Sequence, residues 1–383
     1  MTRIYLDHAA TTPVDPRVVE AMAPYWNEAF GNPSSAHGFG MDALDAVEQA
    51  RRQVAGLLSC RPEEVVFTGS GTESDNTALW AAGRALAGKG NHIITTQIEH
   101  HAVLHCVQFM AKNGWDVTYV RVDKDGLVDP DDIRMAVTPK TVLVSVMHAN
   151  NEIGTIQPLE IIGRMLKEKG ILFHTDAVQT AGHLPIDVNR MNLDFLSLSG
   201  HKLYGPKGVG ALFIRTGTPF VPFLHGGGHE KGRRSATHNV PGIVGLGMAC
   251  SIAQEEMARE SEHTGRLRDM LRNEILKSLP GVSVNGHPDR RLSNNLNLSV
   301  TGVDGEALLL NMDLEGVAVS SGSACSSGSG EPSHVLKALG LPADKMHGSL
   351  RMTTGRSNTE QEMRRASGIL ETVVKRLLRL SSS

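Results

Sequence analysis

The sequence has few cysteines, few aromatic residues and no long apolar run, and these shortages exclude several classes of protein. The four cysteines are widely separated and form no CxxC pair, which excludes a zinc ribbon and a disulfide framework. No apolar stretch approaches the roughly 20 residues that cross a bilayer, and no secretory signal is visible. We therefore expect a cytoplasmic protein that has no membrane partner.

Charge of either sign is not in excess. The 383 residues carry a formal net charge of −3, and KGRR (231–234) is the only dense basic run in the middle of the chain. Nucleic-acid binding requires a clustered basic surface, so no nucleic-acid partner is predicted. The length is enough for about two domains.

Short β-rich runs alternate with helical patterns through the first two-thirds of the chain. Several of these runs are continuously apolar, which is typical of strands covered by helices on both faces. The alternation predicts an α/β fold with a mostly parallel sheet. Strands are predicted at 64–68, 92–96, 117–122, 141–147, 171–175, 194–199 and 209–214, and helices at 73–87, 100–114 and 158–170.

A long helical pattern from residue 243 to residue 279 is expected to connect two domains. Proline and glycine at 280 and 281 end it, and shorter strands at 295–300 and 316–320 follow. We place the domain boundary inside this helix. The predicted large domain covers 14–258, and the predicted small domain consists of 1–13 and 259–383.

Three polar clusters follow predicted strands or open helices, and ligands bind at such strand ends in open α/β sheets. TGSGTES (68–74) could hold a phosphate through its amides and hydroxyls, or form an ordinary N-cap. HTDAVQT (174–180) ends one strand with Asp176, and SLSGHKLYGPKG (197–208) places Lys202 after the next. One interpretation is an Asp–Lys ion pair. The other is a pyridoxal phosphate site, because that cofactor needs a lysine, an acid and a phosphate cradle.

The histidine-rich run IEHHAVLHC (98–106) admits two interpretations. His101 and His105 have the i, i+4 spacing of zinc ligands, but the run lacks both the HExxH glutamate and a third ligand. No metal is therefore predicted. His100, at the junction of a strand and a helix, could instead stack on a flat ring.

Cys325 differs from the other cysteines in its surroundings. Cys60, Cys106 and Cys250 lie in or beside apolar helical patterns and are predicted to pack as small hydrophobic side chains. Cys325 stands at the centre of the low-complexity stretch SSGSACSSGSG (320–330). A thiol in such a loop would be exposed and reactive, unless the stretch is only a linker.

Seven motifs, in order and over nearly the whole chain, resemble those of the cysteine desulfurases among the class V aminotransferases, which supply sulfur for iron–sulfur cluster assembly. The resemblance implies the fold of type I pyridoxal phosphate enzymes, with a seven-stranded, mostly parallel sheet and a smaller α+β domain. The motifs are YLDHAATTPVDPRV (5–18), GNPSSAHGFG (31–40), TGSGTESDN (68–76), HANNEIGTIQP (148–158), HTDAVQTAG (174–182), SLSGHKLYGPKGVGAL (197–212) and SSGSACSSGSGEPSHVLKALG (320–340).

The resemblance also implies roles for individual residues. Lys202 would bond to the aldehyde of pyridoxal 5'-phosphate and act as a catalytic base, and His100 would stack on the ring as a second catalytic residue. Asp176 would face the ring nitrogen, and Gln179 the ring hydroxyl. Further cofactor contacts are implied for Gly71, Thr72, Asn151, Ser199, His201 and Thr237, and substrate contacts for Asn151 and Arg351.

The implied reaction converts L-cysteine to L-alanine and leaves a persulfide on Cys325, in a loop of about 320–332. The resemblance further implies a homodimer in which Thr237 reaches the neighbouring active site, and a sulfur-acceptor partner such as an iron–sulfur scaffold protein. Ala236 stands where the family usually has glycine. Two alternatives remain open: another pyridoxal phosphate enzyme in which Cys325 is incidental, and a non-catalytic sulfur carrier.

Overall fold

Residues 3–321 and 332–381, which this computed structural model describes, form twelve strands and eleven α-helices. The strands are β1 (Ile4–Tyr5), β2 (Val65–Thr68), β3 (His92–Thr96), β4 (Asp116–Val120), β5 (Thr141–Ser145), β6 (Leu172–Asp176), β7 (Phe195–Ser199), β8 (Gly210–Ile214), β9 (Val282–Asn285), β10 (Asn295–Val300), β11 (Val317–Ala318) and β12 (Ser349–Thr353). The helices are α1 (Pro16–Met22), α2 (Gly38–Leu58), α3 (Gly71–Leu86), α4 (His101–Lys112), α5 (Pro130–Ala136), α6 (Leu159–Lys169), α7 (Val240–Ser278), α8 (Gly305–Leu314), α9 (His334–Ala338), α10 (Ala343–His347) and α11 (Glu360–Ser381).

Seven strands form the large sheet, in the order β2-β8-β7-β6-β5-β3-β4. Neighbouring strands are parallel except where β8 pairs with β2 and β7, to which it is antiparallel. Most of the strand residues are buried because hydrophobic clusters cover both faces, which explains the continuous apolar runs. The predicted seven-stranded, mostly parallel sheet is confirmed, and each predicted strand ends within two residues of an observed one.

A smaller antiparallel sheet has the order β12-β10-β9, and a separate parallel pair joins β1 to β11. The strand predicted at 295–300 is confirmed as β10. Of the strand predicted at 316–320, Val317 and Ala318 form β11 and Ser320 forms an isolated bridge with Arg351, and the sequence patterns missed β1, β9 and β12. A single parallel bridge joins Asp7 to Thr353 at the end of β12, so the N-terminal segment lies beside this strand.

The helix α7 is 39 residues long and contacts two separate hydrophobic clusters. Leu246 and Ala253 belong to the cluster on one face of the large sheet, whereas Leu267 and Leu271 belong to the cluster around the small sheet. The predicted domain boundary inside this helix stays a prediction. Neither α7 nor any other helix of the described ranges combines the length and the apolar character that a membrane span needs.

Three cysteines lie within the described ranges and are packed as apolar side chains. Cys106 and Cys250 are buried, and Cys60 is partly buried against the cluster on the large sheet. Burial raises the pKa of Cys60 and of Cys106 to about 12, and it also raises the pKa of Cys250. These thiols stay protonated at neutral pH, which confirms the prediction that they pack as small hydrophobic side chains.

Candidate active site

One cavity of about 540 Å³ lies where the carboxyl ends of β2, β3, β5, β6 and β7 meet. Because these strands are parallel to one another, the residues that follow each of them reach the same edge of the sheet. The small sheet contributes one further residue through β12. The predicted site residues that line this cavity are Gly71, Thr72, His100, Asn151, Asp176, Gln179, Ser199, His201, Lys202 and Arg351.

Lys202 lies in a short 3-10 turn directly after β7. Its Nζ donates hydrogen bonds to the carbonyl oxygens of Ala9, at 2.5 Å, and Ala10, at 2.7 Å. The same Ala9 oxygen accepts a hydrogen bond from Nε2 of Gln179 at 3.0 Å. These bonds hold the amine at the cavity wall instead of letting it extend into bulk water. The structure therefore places Lys202 where its amine can reach a bound ligand.

Asp176 and Asp75 are two of the buried carboxyl groups that line the cavity. Burial raises the pKa of Asp176 to about 7, and the charge of Asp75 adds to the rise, whereas the Val178 N–H that Asp176 accepts at 2.9 Å opposes it. Burial likewise raises the pKa of Asp75 to about 7. Its Oδ1 accepts no hydrogen bond from the described residues and lies 3.5 Å from Nε2 of His174. A cation in the cavity would favour the ionised form of both acids.

His100 caps the N-terminus of α4. Its Nδ1 accepts the N–H of Ala102 at 3.1 Å, so the proton of the neutral ring is on Nε2. Burial, helped by the positive charge of Lys202, lowers the pKa of His100 to about 4. The ring is therefore uncharged at neutral pH, and an uncharged ring on the cavity wall suits stacking on a flat ligand.

Part of the cavity wall has the features of an anion site. Gly71 and Thr72 form the first turn of α3, where free backbone N–H groups and the helix dipole attract negative charge. His201 and Lys207 line the same cavity. A Cβ atom on Gly71 would lie 2.6 Å from Cγ2 of Val178, so glycine allows the start of α3 to approach closely. The sequence analysis missed Lys207, although its GPKG turn was part of a quoted motif.

Arg351 is on β12 and lines the cavity on the side of the small sheet, where it is buried and only 2% exposed. Its Nη1 donates to the carbonyl oxygen of Asn151 at 3.0 Å, and its Nη2 donates to Oδ1 of Asp7 at 2.8 Å. Its Nε is buried and has no hydrogen-bond partner among the described residues. Such a fork of N–H groups suits a carboxylate ligand. The sequence analysis identified Arg351 but missed Asp7.

Cys325 lies outside the described residues, but the residues that flank its segment border the cavity. Ser320 exchanges two backbone hydrogen bonds with Arg351, of 3.1 and 2.7 Å. Ser333 donates a hydrogen bond of 2.5 Å to Oε2 of Glu152, a buried residue that lines the cavity. Cys325 is five positions after Ser320 in the sequence, and a chain of that length spans up to about 18 Å.

Thr237 is exposed and is not among the residues that line the cavity. Its segment is held in place by the buried ion pair of Arg51 with Glu230, of 2.7 Å. The preceding residue, Ala236, has a φ of 142°, a conformation that strains any residue with a side chain. This strain gives a physical reason for the glycine that the resemblance leads us to expect there. The contact of Thr237 with a neighbouring subunit stays a prediction.

The histidines that could have suggested zinc lie close together at the edge of the cavity. The ring centroid of His101 is 4.8 Å from that of His105 and 4.8 Å from that of His334. Even so, no three His, Cys, Asp or Glu side chains in the ranges 3–321 and 332–381 are arranged to hold a metal ion. Burial lowers the pKa of both His101 and His334, so these rings are neutral at pH 7.

Comparisons with known proteins identify the family. The model of the aminotransferase class-V family matches residues 4–365. The chain belongs to this family. It is 49% identical to cysteine desulfurase IscS of Dictyoglomus turgidum, over 99% of this chain and 96% of the relative, and 50% identical to cysteine desulfurase IscS of Methanosarcina thermophila, over 99% and 93%.

Solved structures show the same relationship. A NifS-like protein gives a TM-score of 0.93 at 39% identity, covering 98% of this chain and 100% of that one. A structure described as SspA in complex with cysteine gives a TM-score of 0.83 at 38% identity, covering 94% of this chain and 100% of that one. The fold is therefore that of the NifS-like proteins, whose family depends on pyridoxal phosphate.

The residues of the cavity fit this cofactor. The buried acids Asp75 and Asp176 have raised pKa values and would be stabilised by the protonated ring nitrogen. The amine of Lys202 is held at the cavity wall, as a covalent bond to an aldehyde requires. Gly71, at the start of α3, and Lys207 supply positive potential for a phosphate.

Proposed function

We propose that this protein is a pyridoxal-phosphate-dependent cysteine desulfurase that moves the sulfur atom of L-cysteine onto Cys325 and releases L-alanine. The proposal rests on one cavity that brings together Lys202, Asp176 and Arg351 and is bordered by both flanks of the segment that contains Cys325. Relatives named cysteine desulfurase, at 49–50% identity over 99% of this chain, support the same activity.

The cofactor would be held by residues of the large sheet's edge. Bound there, pyridoxal phosphate supplies an electron sink that weakens bonds at the α-carbon of an amino acid. Lys202 would bond to its aldehyde, Asp176 would keep the ring nitrogen protonated, and Gln179 would contact the ring hydroxyl. The phosphate would be bound by Gly71, Thr72, Ser199 and His201, with Thr237 of a second subunit.

The polar residues of the cavity then bind the substrate and move its proton. Arg351 would bind the α-carboxylate of cysteine through its N–H fork, with Asn151 beside it. The Nζ amine of Lys202 would take the proton from Cα after the amino group of the substrate has replaced it at the cofactor. His100 stays neutral because burial lowers its pKa to about 4, so it can pack flat against the ring without repelling the pyridinium.

The sulfur transfer balances without an outside oxidant. The thiolate of Cys325 attacks the sulfur atom of cysteine, and the carbon–sulfur bond breaks. The carbon atom keeps the electron pair of that bond and takes up one proton, which completes the methyl group of alanine. The proton that the Cys325 thiol lost on ionisation balances the proton taken up. Cys325 is left as a persulfide, since the other three thiols are buried or partly buried and stay protonated.

The proposal includes a partner, an assembly and a compartment. The persulfide of Cys325 would pass its sulfur to an acceptor, for which an iron–sulfur scaffold protein is the expected candidate. A homodimer would allow Thr237 to complete the phosphate site of the partner. We place the protein in the cytoplasm, because a reducing compartment keeps an exposed reactive thiol from forming disulfides.

Mass spectrometry of the purified, cofactor-loaded protein after cysteine treatment tests this function. Cys325 of the wild type is expected to gain the mass of one sulfur atom. The variant Cys325→Ser should still change its visible absorption with cysteine but form no persulfide, and the control Cys60→Ser should behave like the wild type. Production of alanine and sulfide by Cys325→Ser at the wild-type rate would instead indicate a pyridoxal phosphate enzyme that does not use this thiol.

A further inference from the structure

The guanidinium of Arg351 already has an internal carboxylate partner. Its Nη2 donates to Oδ1 of Asp7 at 2.8 Å, while its Nη1 donates to the carbonyl oxygen of Asn151 at 3.0 Å. The Arg351 side chain is 3% exposed and that of Asp7 is 19% exposed, so the pair is largely shielded from water. The ion pair is therefore screened less than a surface pair.

This pairing alters what the guanidinium offers to a carboxylate. A carboxylate is bound best by two parallel N–H groups, and the guanidinium offers two such pairs: Nε with Nη2, and Nη1 with Nη2. Asp7 accepts one of the two N–H groups of Nη2, and Nε is buried and has no hydrogen-bond partner among the described residues. A second carboxylate can therefore still bind at the guanidinium, but it meets the negative charge of Asp7 there.

Asp7 is fixed in position by its backbone. It forms a parallel bridge with Thr353, and its carbonyl oxygen accepts a hydrogen bond from the hydroxyl of Tyr5 at 3.0 Å. Two residues later, the N–H of Ala9 donates to Oγ1 of Thr353 at 2.9 Å. These bonds fix the backbone of Asp7 and so hold its carboxylate close to Arg351.

We propose that Asp7 competes with the α-carboxylate of the amino-acid substrate for the positive charge of Arg351 and so limits the affinity for that carboxylate. The inference rests on the proposed function, in which Arg351 binds the carboxylate of cysteine. Asp7 acts through Arg351 and is a positioning residue, since it does not itself line the cavity. Its negative charge offsets that of the guanidinium, which weakens the binding of both the substrate and the alanine product.

The test is calorimetric titration of the cofactor-loaded protein with L-alanine, which has the carboxylate but no sulfur to transfer. Asp7→Asn keeps an oxygen acceptor and removes the charge. The dissociation constant for L-alanine is expected to fall by about tenfold, the size expected for removing one competing charge from a shielded pair. Cysteamine, which lacks a carboxylate, should bind both proteins equally. Unchanged or weaker binding of L-alanine would overturn the inference.

A matched control is Asp15→Asn, which removes the same charge from another ion pair of the N-terminal region. Asp15 contacts Arg356 at 3.2 Å and Arg17 at 2.7 Å, and none of the three is among the residues that line the cavity. This variant should bind L-alanine like the wild type. A tenfold gain in Asp15→Asn would show that the effect is general electrostatics, and it would also overturn the inference.

Steady-state kinetics separates competition from structural damage. In Asp7→Asn the KM for cysteine should fall by about tenfold while kcat changes less than about twofold, because only carboxylate binding is altered. Damage to the fold would raise KM or lower kcat instead. If Asp7→Asn does not fold, Asp7→Ser gives the same test, and a rise in its KM would count against the inference.

A wild type that binds neither alanine nor cysteine would refute the proposed function itself. Normal binding by the wild type, together with an unchanged affinity of Asp7→Asn for alanine, would refute only the competition.

Discussion

The two sides of the cavity differ in how their charges are balanced. On the side of the large sheet, Asp75 and Asp176 are buried with few hydrogen-bond donors, and burial raises the pKa of both to about 7. On the side of the small sheet, Arg351 is already paired with Asp7 and bonded to the Asn151 carbonyl. One side therefore has acids that need a cation, and the other has a cation that already has an anionic partner.

This difference indicates how each ligand gains its affinity. A cofactor with a protonated ring nitrogen removes an electrostatic cost at Asp176, because a nearby positive charge favours the ionised acid. A substrate carboxylate at Arg351 gains less, since the guanidinium does not start without a partner. The site is thus suited to retain a cofactor firmly and to release a product that has the same carboxylate as the substrate.

The largest effects should come from one substitution on each side, and they should differ in kind. Lys202→Ala should lower kcat by at least about 10³-fold and abolish the visible absorption of the bound cofactor, because the base and the covalent attachment are lost together.

Arg351→Lys should keep the absorption but raise the KM for cysteine by about 10- to 100-fold, because a lysine cannot form the two-point contact. Absorption spectra and steady-state kinetics check both.

Lys207→Ala is the matched control on the large-sheet side, since Lys207 lines the cavity but is not predicted to react. It should weaken cofactor binding and leave kcat near the wild-type value when the cofactor is saturating. If Lys207→Ala loses the visible absorption and Lys202→Ala keeps it, the roles of the two lysines are exchanged.

A smaller effect is expected on the stability of the cofactor-free protein. The folded-state pKa of Asp75, about 7, is above its ordinary value of 3.8, so the folded form holds its proton more tightly than the unfolded form. Its contribution to stability is therefore full below about pH 4 and is lost as the pH rises through 7. Asp75→Asn should raise the free energy of unfolding at pH 8 by on the order of 3 kcal/mol and have little effect near pH 4.

Urea denaturation at the two pH values measures this change. Asp15→Asn is the control of opposite sign, because a hydrogen bond from the Arg17 side chain lowers the pKa of Asp15. Its charged form stabilises the fold above the unfolded pKa, so this variant should be less stable at pH 8, and the difference should shrink as the pH falls below 4. Equal effects of the two variants at pH 8 would contradict the raised pKa of Asp75 from which its gain in stability is predicted.

The smallest effect concerns a segment that belongs to neither side. Ala236→Gly should relieve the strain of a φ of 142° and raise the free energy of unfolding by about 1 kcal/mol, after the entropic cost of glycine is subtracted. Ala87→Gly, at an exposed residue with an ordinary φ of −55°, should instead be neutral or slightly destabilising. Urea midpoints compare the two, and a loss of stability in Ala236→Gly would show that the segment is not strained.

The same division between the two sides explains what the sequence alone could predict. Lys202, Asp176 and the turn at 68–74 follow predicted strands, and the carboxyl ends of parallel strands meet at one edge, so local patterns were enough to bring them together. Arg351 was identified only through the family resemblance, because β12 was not predicted as a strand.

The partners of these residues could not be predicted from local patterns. Asp7 lies 344 residues from Arg351, and their contact depends on the pairing of the N-terminal segment with β12. Asp75 has no local signal, since a polar residue in the second turn of a helix is ordinarily exposed. Lys207 resembles any lysine in a turn, and only the folded chain shows that it lines the cavity.

The length of α7 has a consequence for which molecules the cavity accepts. A helix of 39 residues extends for about 58 Å and resists sharp bending, because a bend would break its backbone hydrogen bonds. Residues of this one helix belong to the hydrophobic clusters beneath both Lys202 and Arg351, so the helix helps to fix the distance between these two side chains. A substitution that bends α7 should therefore change the distance between Lys202 and Arg351 and, with it, the length of the amino acid that the cavity accepts.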